Sequence, residues 1–136
     1  MRVAAVKIDY KGCPKAIEEL GFSSESVTHL SVNKEYTVWA ISRWKGVFFL
    51  QVIDDNGYPS WLPFWLFSMR DGFIPRNWVC SIFEDELEII LGPKFLAENY
   101  EAYEAMVELQ PFSVQQFWEN VNEADSDGCA HGYSVG

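Results

Sequence analysis

The spacing of apolar and polar positions changes character about two-thirds of the way along the chain. Up to residue 91, apolar residues alternate with polar ones or come in short runs, the habit of strands. From Pro93 onward they recur three and four residues apart, the habit of helices. Val3 to Tyr10 alternates loosely and predicts a first strand, broken by Gly12-Cys13-Pro14. Pro14 to Leu20 predicts one or two helical turns, with Gly21 as the stop. Val27 to Val32 alternates again and predicts a second strand.

The next fifty or so residues carry the clearest strand signals. Tyr36 to Arg43 alternates in β-favouring residues, and Trp44-Lys45-Gly46 reads as a turn. Val47 to Ile53 is apolar on both faces apart from Gln51. Asp54-Asp55-Asn56-Gly57 follows, and Asn-Gly between two strand-like runs is a strong hairpin signal. Tyr58 to Leu62 is the returning strand, and Phe64 to Met69 a further short run before the turn at Arg70-Asp71-Gly72. Trp78 to Phe83 is the last strand in this reading. Short strands at this spacing predict a small antiparallel barrel or curled sheet.

After Pro93, the residues Phe95, Leu96, Tyr100, Tyr103, Met106 and Val107 form a helical stripe, and Glu98, Glu101, Glu104 and Glu108 fall on the opposite side. Pro93 suits the first turn, and Gln110-Pro111 ends the helix. Ser113 with Gln116 fits a capping box for a second helix carrying Val114, Phe117, Trp118 and Val121. The expected fold is therefore α+β, in a single domain spanning residues 1–124. A barrel-like sheet covers 1–91, and helices at 94–109 and 114–123 pack on it, because neither can bury its apolar face alone. Phe95, Tyr100, Tyr103, Met106, Phe117 and Trp118 are expected to face the sheet. The tail, 125–136, is small, polar and expected to be disordered.

Charge sharpens this division. Residues 84–127 hold twelve acids against one base, Lys94, a net −11, whereas residues 1–83 hold eight acids and nine bases, a net +1. The acidic segment repels nucleic acid and attracts cationic proteins. A helix that keeps glutamates without interleaved lysines gives up the usual i,i+4 pairing, and that repulsion has a use if the partner is basic. The aromatic content of 16% suits a small core, and some rings could instead line a groove.

Catalytic chemistry finds little footing. Two histidines, His29 and His131, are too few for a zinc site, and neither Asp54-Asp55-Asn56-Gly57 nor Asp125-Ser126-Asp127-Gly128 has the ligand series of a calcium loop. Cys13 or Cys80 beside His29 would be the one nucleophile–base pairing available, with Cys80 read as a buried, inert thiol in mid-strand. No glycine-rich loop at a strand–helix junction suggests a nucleotide. Hence no metal, no cofactor and no enzymatic activity are expected. Three sparse cysteines, an N-terminus without a long apolar segment, and no stretch long enough to span a bilayer suggest a soluble protein of a reducing cytoplasm.

The block Lys34-Glu35-Tyr36-Thr37-Val38, Asp54-Asp55-Asn56-Gly57-Tyr58, Trp61-Leu62-Pro63 and Leu66-Phe67, extended by Ile74-Pro75 and Trp78, resembles small bacterial and phage proteins with a Src-homology-3-like barrel. The resemblance covers residues 34–78 and implies a gene of the kind found beside polymorphic toxins, where small acidic proteins serve as immunity factors. The expected function is then a non-enzymatic acidic protein that occludes a basic, nuclease-like toxin. Glu98, Glu101, Glu104 and Glu108 would pair with the toxin's cations, and Trp44 and Trp65 would act as aromatic anchors. Two alternatives remain at this point. One is a peptide-binding adaptor that uses Tyr36, Trp39, Trp61 and Trp65 as a groove. The other is a small enzyme built on Cys13 and His29.

Overall fold

The structure, a computed structural model, describes residues 1–84, 86 and 88–126. It is α+β with antiparallel sheets. Strand β1 (Arg2–Ala5) is followed by a short helix, α1 (Lys15–Glu18), then β2 (Glu35–Thr37), β3 (Ala40–Trp44), β4 (Val47–Ile53) and β5 (Pro59–Pro63). A 3-10 turn at Phe64–Leu66 leads into β6 (Phe67–Asp71). Then come β7 (Trp78–Phe83), β8 (Glu88–Pro93), and the helices α2 (Lys94–Ala97), α3 (Tyr100–Val107) and α4 (Pro111–Ser126).

The strands form two open sheets, and a closed barrel is not made. One is three-stranded, ordered β2-β1-β6; the other is five-stranded, ordered β5-β4-β3-β8-β7. Tyr36 to Arg43 is not one strand, because the chain changes sheet at Val38 and Trp39. There the Val38 N–H donates to the Met1 carbonyl and the Trp39 N–H to the Gln51 carbonyl. Strand β5, which begins and ends in proline, forms an edge of the larger sheet, where a missing N–H is tolerated.

The hairpins follow local chemistry. Lys45 and Gly46 both have positive φ, 50° and 81°, in the two-residue loop between β3 and β4. That is the twist a type I′ turn supplies. Between β4 and β5, Gly57 has φ 83°, and the Asp54 side chain accepts from the N–H groups of Asn56 and Tyr58 and from the Ser60 hydroxyl. The expected Asn-Gly hairpin is therefore present, organised by Asp54.

Five expectations about individual elements are corrected. Strand β1 ends at Ala5, because the N–H groups of Val6 and Lys7 both turn to the Leu66 carbonyl and lead the chain out of the sheet. Residues 27–32 form no strand. Val27 and Val32 are exposed, and the segment is held by side chains: Thr28 Oγ1 donates to the Ile8 carbonyl and Ser31 Oγ to Asp55. Trp78–Phe83 is not the last strand, since β8 lies beyond it and inserts between β3 and β7. The expected 94–109 helix is broken at Asn99, which is extended at φ −148° and caps α3 by accepting from the Ala102 N–H at 2.8 Å. Helix α4 also starts earlier than the capping box suggested, at Pro111, leaving Ser113 buried within it. The expected disordered tail lies, from residue 127, outside the described residues.

Two cores result. The first joins Val3, Ala5, Tyr36, Val38, Leu50, Val52 and Leu66, from both sheets, with Ile17 of α1. The second lies between the larger sheet and the C-terminal helices and joins Ala40 and Ile90 to Leu96, Tyr103, Met106, Phe117 and Val121. Phe95, Tyr100 and Trp118 pack against this second core, as the helical stripe predicted. Gly92 permits a close approach of β8 to β3 here: a Cβ on it would lie 2.9 Å from the Cβ of Ala40.

Candidate functional site

The gap between helix α3 and the larger sheet is a cleft of about 480 Å³. That is within the range of about 300–1,000 Å³ typical of ligand sites. Helix α3 supplies Tyr100, Tyr103, Glu104 and Val107, which are spaced i, i+3, i+4 and i+7 and so share one helical face. The sheet supplies Ser42 and Trp44 from β3, Phe49 from β4, Pro59 to Leu62 from β5, and Glu88 from β8. Period-two alternation points Glu88, Ile90 and Gly92 of β8 to the helix side, where all three are buried.

The walls are mostly aromatic. Trp61 meets Tyr103 edge-on with ring centroids 5.7 Å apart, and Tyr100 lies 5.9 Å from Tyr103. Trp44 and Phe49 are 6.1 Å apart at the other side. Val107 and Leu109, both exposed, form an apolar rim. Leu109 occupies the left-handed position of a Schellman ending to α3, with φ 54°. Its N–H donates to the Met106 carbonyl, and the Gln110 N–H donates to the Ala105 carbonyl. Glycine is the usual residue there, so leucine holds a strained backbone at the cleft mouth.

Within this apolar lining sits a carboxylate. Glu88 is only 4% exposed. Its Oε1 accepts from Tyr100 Oη over a long 3.4 Å, and its Oε2 has no hydrogen-bond partner among the described residues. Burial, with Glu86 and Glu104 nearby, raises the Glu88 pKa above its ordinary 4.5, against the opposing hydrogen bond from Tyr100. Burial also pushes the Tyr103 hydroxyl up to about 12 and raises Tyr100, whose rise the neighbouring glutamates reinforce. Trp61 Nε1 and both polar atoms of the Gln51 side chain are likewise buried without a partner among the described residues. Among the described residues, no lysine or arginine lines the cleft.

The structure brings some of the sequence candidates together and separates others. Glu104 lies on the cleft side of α3, not opposite its apolar stripe. Glu101 and Glu108 are exposed, and Glu98 ends α2, 3.9 Å from Lys94. Among the described residues, Glu101, Glu104 and Glu108 form no ion pair. Trp44 lines the cleft, its outer face covered by Lys45 Nζ at 4.8 Å. Trp65 does not line it; it stacks with Tyr10 and lies under Lys7 Nζ at 4.7 Å. Of the four rings of the adaptor reading, only Trp61 reaches the cleft; Tyr36 is buried in the first core, and Trp39 packs edge-on against Phe117. Cys13 is partly buried, Cys80 is exposed rather than buried, and neither lines the cleft with His29. Cys80 falls on the face of β7 away from the helices, near an edge of the sheet.

Glu88 does not stand out in the sequence because it ends the acidic run that starts at Glu84. Its phase with Ile90 was the available signal. Comparison with family models, curated proteins and solved structures finds no match for this chain. Among the described residues, no helix is long and apolar enough to cross a membrane.

Proposed function

We propose that the chain is a non-enzymatic acidic binding protein of the cytoplasm, an immunity protein that occludes the substrate surface of a basic, nuclease-like toxin. The supporting observation is that Glu101 and Glu104 of α3 and Glu108 at its end stand exposed and, among the described residues, without an ion pair, beside an aromatic cleft rimmed by Val107 and Leu109. An apolar centre framed by charge of one sign fits a cationic protein surface: the acids steer the encounter, and the apolar centre slows release. The resemblance of residues 34–78 to Src-homology-3-like immunity proteins supports a toxin as the partner.

The test is co-purification followed by an activity assay. Tagged protein is passed through host lysate at low and high salt, and the retained basic protein is assayed for cleavage of plasmid DNA. The expected result is nuclease activity that the wild-type protein suppresses and that the double variant Glu101→Lys, Glu104→Lys no longer suppresses. A partner without nuclease activity, or inhibition indifferent to both charge reversals, would remove this reading.

A further inference from the structure

We propose that the cleft beneath α3 is a pocket for an arginine side chain, with Glu88 as its anion. The proposal rests on the reading of the partner as a basic protein, and it assigns a specific contact to Glu88 and the cleft rings, with Glu104 alone shared with the exposed glutamates.

Three features of the cleft select a cation. Glu88 is buried with one carboxylate oxygen lacking a partner among the described residues, a situation folding alone does not favour. Glu86 and Glu104 add negative potential, and among the described residues no base in the lining answers it. The rings of Trp61, Tyr100 and Tyr103 offer surfaces that attract cations and exclude anions.

Arginine fits better than lysine. Its guanidinium is planar and weakly hydrated, so it leaves water for an aromatic slot more readily than an ammonium does. Its flat face stacks on rings while its edge donates to a carboxylate, and Glu88 has one oxygen free to accept. The apolar rim of Val107 and Leu109 suits the methylene stem.

The experiment titrates the full chain with N-acetyl-arginine amide, following the tryptophan indole N–H resonances by NMR. N-acetyl-citrulline amide, nearly the same shape without the charge, and N-acetyl-lysine amide are the comparisons. The expected result is saturable, millimolar binding of the arginine probe that moves the Trp61 resonance, at least tenfold weaker binding of the other two, and at least tenfold loss in Glu88→Gln. Val107→Trp, a change at an exposed rim position, is a second variant that should block the pocket with the fold intact by circular dichroism. Equal binding of citrulline or lysine, binding that survives both variants, or a Trp61 resonance unmoved by the arginine probe would overturn the proposal. Probe binding without a captured nuclease would leave the pocket standing and remove the toxin reading. A nuclease held through Glu101 and Glu104, with no probe binding, would remove the pocket alone.

Discussion

At the β4–β5 hairpin, the Asp55 carboxylate accepts from Ser31 Oγ and Lys34 Nζ, each at 2.6 Å, and from Tyr36 Oη at 2.9 Å. On the helix side of the same sheet, the Glu88 carboxylate accepts, among the described residues, from Tyr100 alone, over 3.4 Å. Lys34 and the two hydroxyls hold Asp55 down to about 2, while burial lifts Glu88. The first acid ties a loop to a strand and is complete within the fold. The second is buried and incomplete, and its surroundings add acids and rings where the hairpin adds donors. A carboxylate left in that condition on a cleft wall is available to a donor from outside, which is what separates a binding group from a structural one.

The largest effect is expected from opening the core that holds the C-terminal helices on the larger sheet. Phe117 of α4 is 1% exposed, meets Trp39 edge-on and sits in the core between the larger sheet and the C-terminal helices. Phe117→Ala should cost about 3–5 kcal/mol, measured as a lower urea midpoint. It would loosen the helical side of the sheet, where Glu88 lies, and leave the contacts of Asp55 to Ser31, Lys34 and Tyr36 in place. A cost below about 1 kcal/mol would mean that α4 is only loosely docked.

The two regions were also unequally legible. The hairpin was readable because its chemistry is local: Asp54, Asn56 and Gly57 specify the turn within four residues. The helical stripe of Tyr100, Tyr103 and Met106 likewise announced its buried face. The cleft was not readable, because it needs β8 beside β3, and the Glu84-to-Glu88 run masked that strand behind its charge. The break at Asn99 lies within a stripe that continues across it, so the local pattern does not tell this cap from a mid-helix position. The sheet change at Val38 and Trp39 depends on contacts with Met1 and Gln51 that no local pattern contains.

A smaller effect, confined to a pH window, tests the complete acid. The Asp55 pKa is lower folded than its ordinary 3.8, so its contribution is present above 3.8 and disappears as pH falls toward 2. Asp55→Asn should lower the thermal midpoint at pH 7, and wild type and variant should converge as pH falls through that window. Parallel curves from pH 7 to pH 2 would show that the Lys34 and tyrosine contacts contribute nothing through charge.

The smallest effect has the opposite sign and separates the two acids most sharply. Glu88 has a raised pKa in the folded chain, so folding binds its proton more tightly than unfolding does. Its contribution is therefore most favourable below 4.5 and diminishes as pH rises through the folded value. Glu88→Gln, which keeps the size and an acceptor for Tyr100, should raise the denaturation midpoint at pH 7. That advantage should vanish as pH falls below 4.5. A variant less stable than wild type at pH 7 would mean that the carboxylate is already well satisfied, as at the hairpin. A variant that is more stable yet no longer holds the arginine probe would show stability given up for binding, the signature expected of a functional carboxylate.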